Sequence, residues 1–509
     1  MSYLDKSTES KGHLDSITSL VKVSHGLMPF VIGFMLSNLG VSVSVFDAYH
    51  STNGGSISSN AIFFSSIFCI AIVVYFRKTR SRLKEETVER VATFSFVAQA
   101  LSIVIYGFIV YLYPGEGFIV YACGALVTLS SWFTSFYWLR RARNFTPAAA
   151  VILVFGAITI SEIILYLFVF IPTALSCIIG GLACLLQFAC RARTKDASAI
   201  DALRTETPFI DYFGFEDRAV DAPRLLSSYV IGIVLLFVVS GTLRGFPSGD
   251  PIHFTDGTRF AYIMIAVLYF AMLIWRSFVG SRAVMTSTIW LSLEIMGIAG
   301  LLMYAAFPHN LEYGAVFTTV FSAGLVAFMA YLIIAFASVG DLDAYYYTAA
   351  GFLVCITVRV ISRLGMSSIF VASPNSALEL LVLATLILIS TQIVLTQLIW
   401  IERKASKPYG RAMESVRLIL GLDRAVLMDK EDVRQILMEN QVAKMQEQFQ
   451  LTDRETEVLT LYALGKTQRA IATELVLSQG TIHTHIKNIY AKTDLHSRQE
   501  VLDFLGQAG

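Results

Sequence analysis

The sequence predicts an all-α protein in two parts: a polytopic transmembrane helix bundle of about twelve spans arranged six and six, and a small four-helix unit at the C-terminus. Three observations predict it. Only 15% of the 509 residues are charged, against about 25% in soluble domains. Hydrophobic residues make up 55% of the chain and the mean hydropathy is +0.63, which leaves too little polar surface for a soluble globule of this length. From Leu451 onward the pattern changes to charged, amphipathic segments with helix-capping residues.

The chain opens on a polar tail, residues 1–26, with Lys6, Lys11 and Lys22 and without the apolar core or cleavage site of a signal peptide. Leu14, Ile17, Leu20 and Val21 fit either a short amphipathic surface helix or a loosely ordered tail. Residues 27–401 form the membrane domain. A bilayer core takes about 20 apolar residues per helix, and runs of that kind fall near 27–46, 61–76, 91–112, 117–139, 148–170 and 173–190. A polar loop, 191–224, separates them from a second set near 225–243, 260–279, 283–306, 313–337, 345–361 and 378–401.

Lys and Arg in short loops stay on the cytoplasmic side. With the N-terminus inside, the inner loops carry seventeen such residues and the outer loops only Arg244, Arg259 and Arg363. An even number of spans then returns the C-terminus to the cytoplasm. The expected location is the inner (cytoplasmic) membrane, multi-pass, with lipid around it and both termini cytoplasmic. The six-plus-six layout resembles the major facilitator superfamily, whose two halves enclose a cavity near the membrane midplane. The loop YFRKTRSRLKEE between the second and third spans keeps the basic residues of that family's pattern there but lacks its glycines and early aspartate.

Ionisable residues inside a bilayer are costly and point to function. Glu162 lies in the fifth span, Glu294 in the ninth and Arg359 in the eleventh. The fifth and eleventh spans are pseudo-equivalent in a two-half layout. Glu162 and Arg359 are therefore expected to face one cavity, either to pair with each other or to hold a charged ligand; an interhelical pair that only locks the bundle is the plainer alternative. Trp132, Trp290 and several tyrosines are candidates for an aromatic lining. The six cysteines lie in or beside apolar runs, without metal-ligand spacing, and read as packing residues. No nucleophile elbow, phosphate loop or HExxH pattern occurs, so no enzyme, cofactor or metal is expected.

Residues 402–450 form a connector interrupted by Gly410 and Gly421. Met438, Val442, Met445 and Phe449 recur at helical steps, either as a short dimer seam or as a face packed on the domain that follows. In that domain, 451–509, Thr452 and Glu455 have capping-box spacing, and Val458, Leu459, Leu461 and Leu464 give the first helix an apolar face. Gly465 suits its left-handed end. Thr467 caps a second helix with Ile471, Ala472 and Leu475 facing inward, and Ser478 caps a third, 479–492, whose Ile482, Ile486, Ile489 and Tyr490 pack inward. A fourth helix is capped by Ser497. The opposite face of the third helix is polar and partly basic, as a helix entering a major groove requires.

The stretches LTDRETEVL, GKTQRAIATEL and SQGTIHTHIKNIYAK resemble the LuxR-type (NarL/FixJ) helix-turn-helix family. The resemblance implies a domain that reads double-stranded DNA as a homodimer. By position it implies base-edge contacts from His483, Thr484 and Lys487, and phosphate contacts from Thr467, Gln468, Thr481, Asn488 and Lys492. It also makes Val501, Leu502 and Leu505 candidates for the dimer seam, or else for the domain's own core. His483 stands where the family usually has lysine, which makes that contact pH-sensitive. From Leu451 on, six Lys/Arg face seven Asp/Glu, so modest DNA affinity is expected.

These readings imply a membrane-bound one-component transcriptional regulator, controlled by a small molecule sensed in the membrane domain. The alternatives are a secondary transporter of the major facilitator type with a regulatory DNA-binding tail, and a membrane domain that only anchors.

Overall fold

The computed structural model describes residues 26–39, 42, 54–112, 117–194, 203–205, 212, 222–243, 246, 252, 254–278, 288–372, 376–405, 442, 445, 446, 448–463, 466–475, 477–498, 500, 501 and 504. The expected surface helix near Leu14, most of the connector, Gly465, Leu502 and Leu505 lie outside these residues. The chain divides into two compact units, Met1–Asp423 and Arg424–Gly509.

The first unit is a helical bundle. In chain order its helices are α1 (Gly26–Leu39), α2 (Gly54–Thr79), α3 (Glu85–Leu112), α4 (Phe118–Arg141), α5 (Pro147–Phe168) and α6 (Ala174–Arg193). The second set is α7 (Ala222–Leu243), α8 (Asp256–Phe278), α9 (Thr288–Ala306), α10 (Glu312–Val339), α11 (Ala344–Gly365, continuing helical to Ala372) and α12 (Ser376–Ala405). Ten helices are long and apolar enough to cross a membrane, and two shorter apolar ones, Gly26–Leu39 and Ser227–Leu243, complete the expected set among the described residues. Apolar side chains such as Phe94, Phe118, Leu268 and Trp275 face outward, as lipid contact requires. The expected boundaries shift in places. α2 begins at Gly54, ahead of the expected span, because its first turns hold only Ile57 among Gly, Ser and Asn and so carry little apolar signal. α3 begins at Glu85 because two glutamates suit the positive end of its dipole.

The two sets repeat one device. α5 is capped by Thr146, whose hydroxyl accepts from Ala149 N–H at 3.3 Å. α11 is capped by Asp343, which accepts from Tyr345 N–H at 3.0 Å. Each helix then passes through a π-helical turn, Ile152–Gly156 in α5 and Phe352–Thr357 in α11, before regular helix resumes. Such turns are rare and concentrate at functional sites.

The caps lie at one end of the bundle, where the two sets are laced together. Asp343 is buried and accepts from Leu83 N–H at 3.0 Å, with the Arg140 guanidinium 3.7 Å from the same oxygen. Arg82 and Arg143 donate to the Asp341 and Gly340 carbonyls, both at 3.2 Å, and Asn144 N–H donates to Ser338 at 2.8 Å. Asp343 thus gives the α2–α3 loop an acceptor from the opposite half. The 191–224 loop joins this end through an antiparallel bridge between Phe145 and Arg204.

The second unit holds its own core of Val442, Met445, Leu451, Val458, Leu459, Ile471, Ile482, Ile486, Ile489 and Val501. Val442 and Met445 are completely or almost completely buried there, with Phe449 packed beside them. This part of the connector is packed on the domain that follows. Its last turn ends at Gln450 with φ 51°, and Leu451 N–H reaches back to the Gln446 carbonyl at 3.1 Å, a helix-ending bond that satisfies an orphan carbonyl.

Candidate functional site

Three helices of the tail are described over their full length, α13 (Asp453–Ala463), α14 (Gln468–Glu474) and α15 (Gln479–Thr493). The capping residues act as their spacing predicts. Thr452 N–H donates to Glu455 at 2.8 Å while Glu455 N–H donates to the Thr452 hydroxyl at 3.3 Å, a reciprocal box. Thr467 accepts from Ala470 N–H at 3.3 Å, and Ser478 from Thr481 N–H at 3.0 Å. Asp494 takes the left-handed conformation, φ 55°, that ends α15. Ser497 and Glu500 form a second box that opens the final helical segment: Glu500 N–H donates to Ser497 at 3.2 Å and the Ser497 hydroxyl donates back at 2.9 Å.

Ile482, Ile486 and Ile489 anchor α15 in the core, so its opposite face is turned out. His483, Thr484, Lys487 and Asn488 are exposed on that face, as are Thr467 and Thr481 beside it; Gln468 is half-buried. Thr481 and Thr467 are engaged in capping as well, and the Thr484 hydroxyl donates to the Gly480 carbonyl at 3.0 Å.

Lys492 differs from the rest. Its ammonium donates to the Glu455 carboxylate at 2.7 Å and to the Gln450 carbonyl at 3.3 Å. Glu455 is buried, which alone would raise its pKa. The bonds from Lys492 and Thr452 outweigh burial and hold the carboxyl below its ordinary value. Lys466 is likewise paired with Glu474. Of the basic residues near α15, Arg469 and Lys487 make no ion pair among the described residues. Val501 is completely buried in the domain's own core, so its side chain packs within one copy. Arg498 ties this segment to α13 by donating to the Tyr462 carbonyl at 2.7 Å, with its guanidinium 4.8 Å over the Tyr462 ring.

The bundle contains a cavity of about 270 Å³ between its two sets of helices. Glu162 and Arg359 both line it. Each lies fifteen residues into its helix, counted from Pro147 and Ala344, and at 1.5 Å per residue that places both about 22 Å from the capped ends. The structure brings them into one cavity without an ion pair between them. Ser240 and Ser322 share a hydrogen bond of 3.0 Å in the wall. Trp132 meets Phe352 edge-to-face at 5.0 Å in the cavity wall. Tyr262 and Tyr304 also line it. Trp290 does not; it is fully buried against Tyr229 and Phe328. Glu294 does not line the cavity; it is half-buried on α9.

Sequence reasoning missed Gly241, which fixes Arg359 in place. A Cβ on Gly241 would fall 2.2 Å from the Arg359 carbonyl oxygen, so only glycine lets α7 approach α11 this closely. It missed Asp343 too, because a buried cap shared across two halves has no local signature.

The architecture is an all-α membrane bundle carrying a LuxR-type helix-turn-helix domain. Residues 449–505 match the family described as bacterial regulatory proteins, luxR family (GerE). The chain is 51% identical over 53 residues to the uncharacterized response regulatory protein YgeK of Escherichia coli, covering 10% of this chain and 36% of that protein. It is 42% identical over 65 residues to the uncharacterized transcriptional regulatory protein YvfU of Bacillus subtilis, 13% and 32% of the two chains. The transcriptional regulatory protein LiaR of Bacillus subtilis is 46% identical over 50 residues, 10% and 24%. The chain therefore spans about a third or less of the length of these relatives. Among solved structures, a bacterial homologue of the iron transporter ferroportin aligns with 74% of this chain and 98% of its own, at a TM-score of 0.43 and 10% identity.

Proposed function

We propose that this chain is a membrane-bound, one-component transcriptional regulator and not an enzyme. The observation that carries the proposal is the outward face of α15, with His483, Thr484 and Lys487 exposed above an isoleucine-anchored core in a LuxR-type domain. These three residues read base edges, and Thr467, Gln468, Thr481 and Asn488 hold phosphates around them. Lys492 supports the helix from behind through Glu455. The protein binds double-stranded DNA as a homodimer. Leu502 and Leu505 of the final segment are the seam candidates that Val501 is not free to join.

The positive charge of the α2–α3, α4–α5 and α6–α7 loops supports an inner-membrane location with both termini cytoplasmic. The bundle is the sensing module. A small molecule with different affinity for two states of the bundle shifts their balance, and moving a 1:99 population to 99:1 needs about 10⁴-fold discrimination. The connector passes the change to the DNA-binding domains. The test is a mobility shift with the full-length protein in lipid nanodiscs on the DNA upstream of its own gene. A sequence-specific complex that weakens on Lys487→Ala is expected; no such complex at low salt sinks the reading.

A further inference from the structure

We infer that the cavity holds a small organic monoanion, a carboxylate with an apolar body, whose charge is taken by Arg359. The inference deepens the sensing reading above, on which it rests only for its biological use.

Arg359 is a permanent cation well inside the bundle, and a guanidinium in such a place needs an anionic partner or water. Among the described residues it has neither an ion pair nor a side-chain hydrogen bond. Arg363, one turn further along α11 and of the same sign, adds repulsion to its burial. Its position is set on both sides. Gly241 clamps its backbone, and the π-helical turn ending at Thr357 is tied to α2 by a 2.6 Å hydrogen bond between Thr357 and Ser66. A cation fixed this firmly and facing a cavity is answered by what fills the cavity.

The walls narrow the class. A guanidinium matches a carboxylate through two parallel hydrogen bonds. Glu162 stands at the same depth in the same cavity, where an ionised carboxylate would repel a second negative charge on the ligand. The Trp132–Phe352 pair offers an apolar aromatic wall, and Ser240 and Ser322 offer hydroxyls. The volume, about 270 Å³, lies at or just under the range of about 300–1,000 Å³ typical of ligand pockets, which favours a ligand of a few carbons to one ring.

The experiment uses the full-length protein in nanodiscs of neutral lipid, titrated with acetate, benzoate, benzamide and benzylamine. Tryptophan fluorescence, to which Trp132 in the wall contributes, and thermal stability are read together. A saturable response to acetate or benzoate is expected, with benzamide and benzylamine at least about tenfold weaker. Arg359→Gln weakens the anion by about ten- to hundredfold, the usual loss for a hydrogen-bonded charge, and Arg359→Lys recovers part of it. Equal responses to benzoate and benzamide overturn the inference, as does a full benzoate response in Arg359→Gln. So does the lack of any saturable anion response in the wild type at concentrations that fill millimolar sites. The wild-type comparison stands even if Arg359→Gln fails to fold. Repeating the mobility shift with and without the anion separates the two proposals. Anion binding that leaves DNA binding unchanged retains the ligand class and removes the sensing reading.

Discussion

Lys492 reaches from the last turn of α15 to the buried carboxylate of Glu455 at 2.7 Å, joining the two ends of the DNA-binding domain's core. Glu455 also completes the capping box of α13, so one carboxylate closes a helix start and pins a helix end. Removing either partner strands the other. Lys492→Ala or Glu455→Ala is expected to destabilise the tail by about 2–4 kcal/mol. Hydrogen exchange of α13 and α15 in the intact protein measures it. Unchanged protection would show that the pair is incidental.

The same pair sets an acid limit. The carboxyl of Glu455 is held below its ordinary value near 4.5. A depressed pKa gives stability that is complete above the unfolded value and lost as pH falls through the folded one. Proteolytic resistance of the tail should therefore be flat above about pH 5 and fall below pH ~4.5. In Glu455→Gln the loss should already be present at neutral pH. A wild-type curve with no step in that window would contradict the assignment.

Lys487 and Lys492 should separate in DNA binding. Lys487 is exposed and unpaired among the described residues, whereas Lys492 is committed to Glu455. Lys487→Ala should weaken binding by about 1–3 kcal/mol without loss of stability. Lys492→Ala should act mainly through stability. Fluorescence anisotropy at several salt concentrations, paired with thermal unfolding, distinguishes the two.

Gly241→Ala should disturb the bundle. The new methyl carbon would meet the Arg359 carbonyl at 2.2 Å, a backbone atom that cannot swing aside. Overpacking of this kind costs about 1–3 kcal/mol. The thermal unfolding midpoint in nanodiscs should drop, whereas Gly257→Ala, which meets nothing within 4 Å, should leave it in place.

Asp343→Ala removes the acceptor shared by Leu83, Arg140 and Tyr345. The laced end should then open more often. A cysteine placed at Ser338 should be labelled several-fold faster by a membrane-impermeant maleimide than in the parent. Equal labelling would mean that the remaining bonds hold this end alone.

The apolar segments and the caps of the tail were legible because both depend on local spacing. A bilayer sets helix length, and Thr452, Thr467, Ser478 and Ser497 announce helix starts to their own neighbours. The shared cavity of Glu162 and Arg359 was legible from their matching spans. The π-helical turns were not, since no residue type marks them. Asp343 was not, because its partners lie about 200 and 260 positions away. Lys492 was expected at phosphate from its place in the motif; its engagement with Glu455, 37 residues away, is a property of the packed domain.

The pairing of Lys466 and Lys492 with glutamates has a kinetic consequence. With Arg469 and Lys487 left to meet the duplex, each visit to random sequence is brief. Such a reader lingers only where base edges match, or where two copies hold adjacent half-sites and each prevents the other's escape. Occupancy is then governed by dwell time, and for the proposed homodimer any change that separates the two copies clears the operator quickly.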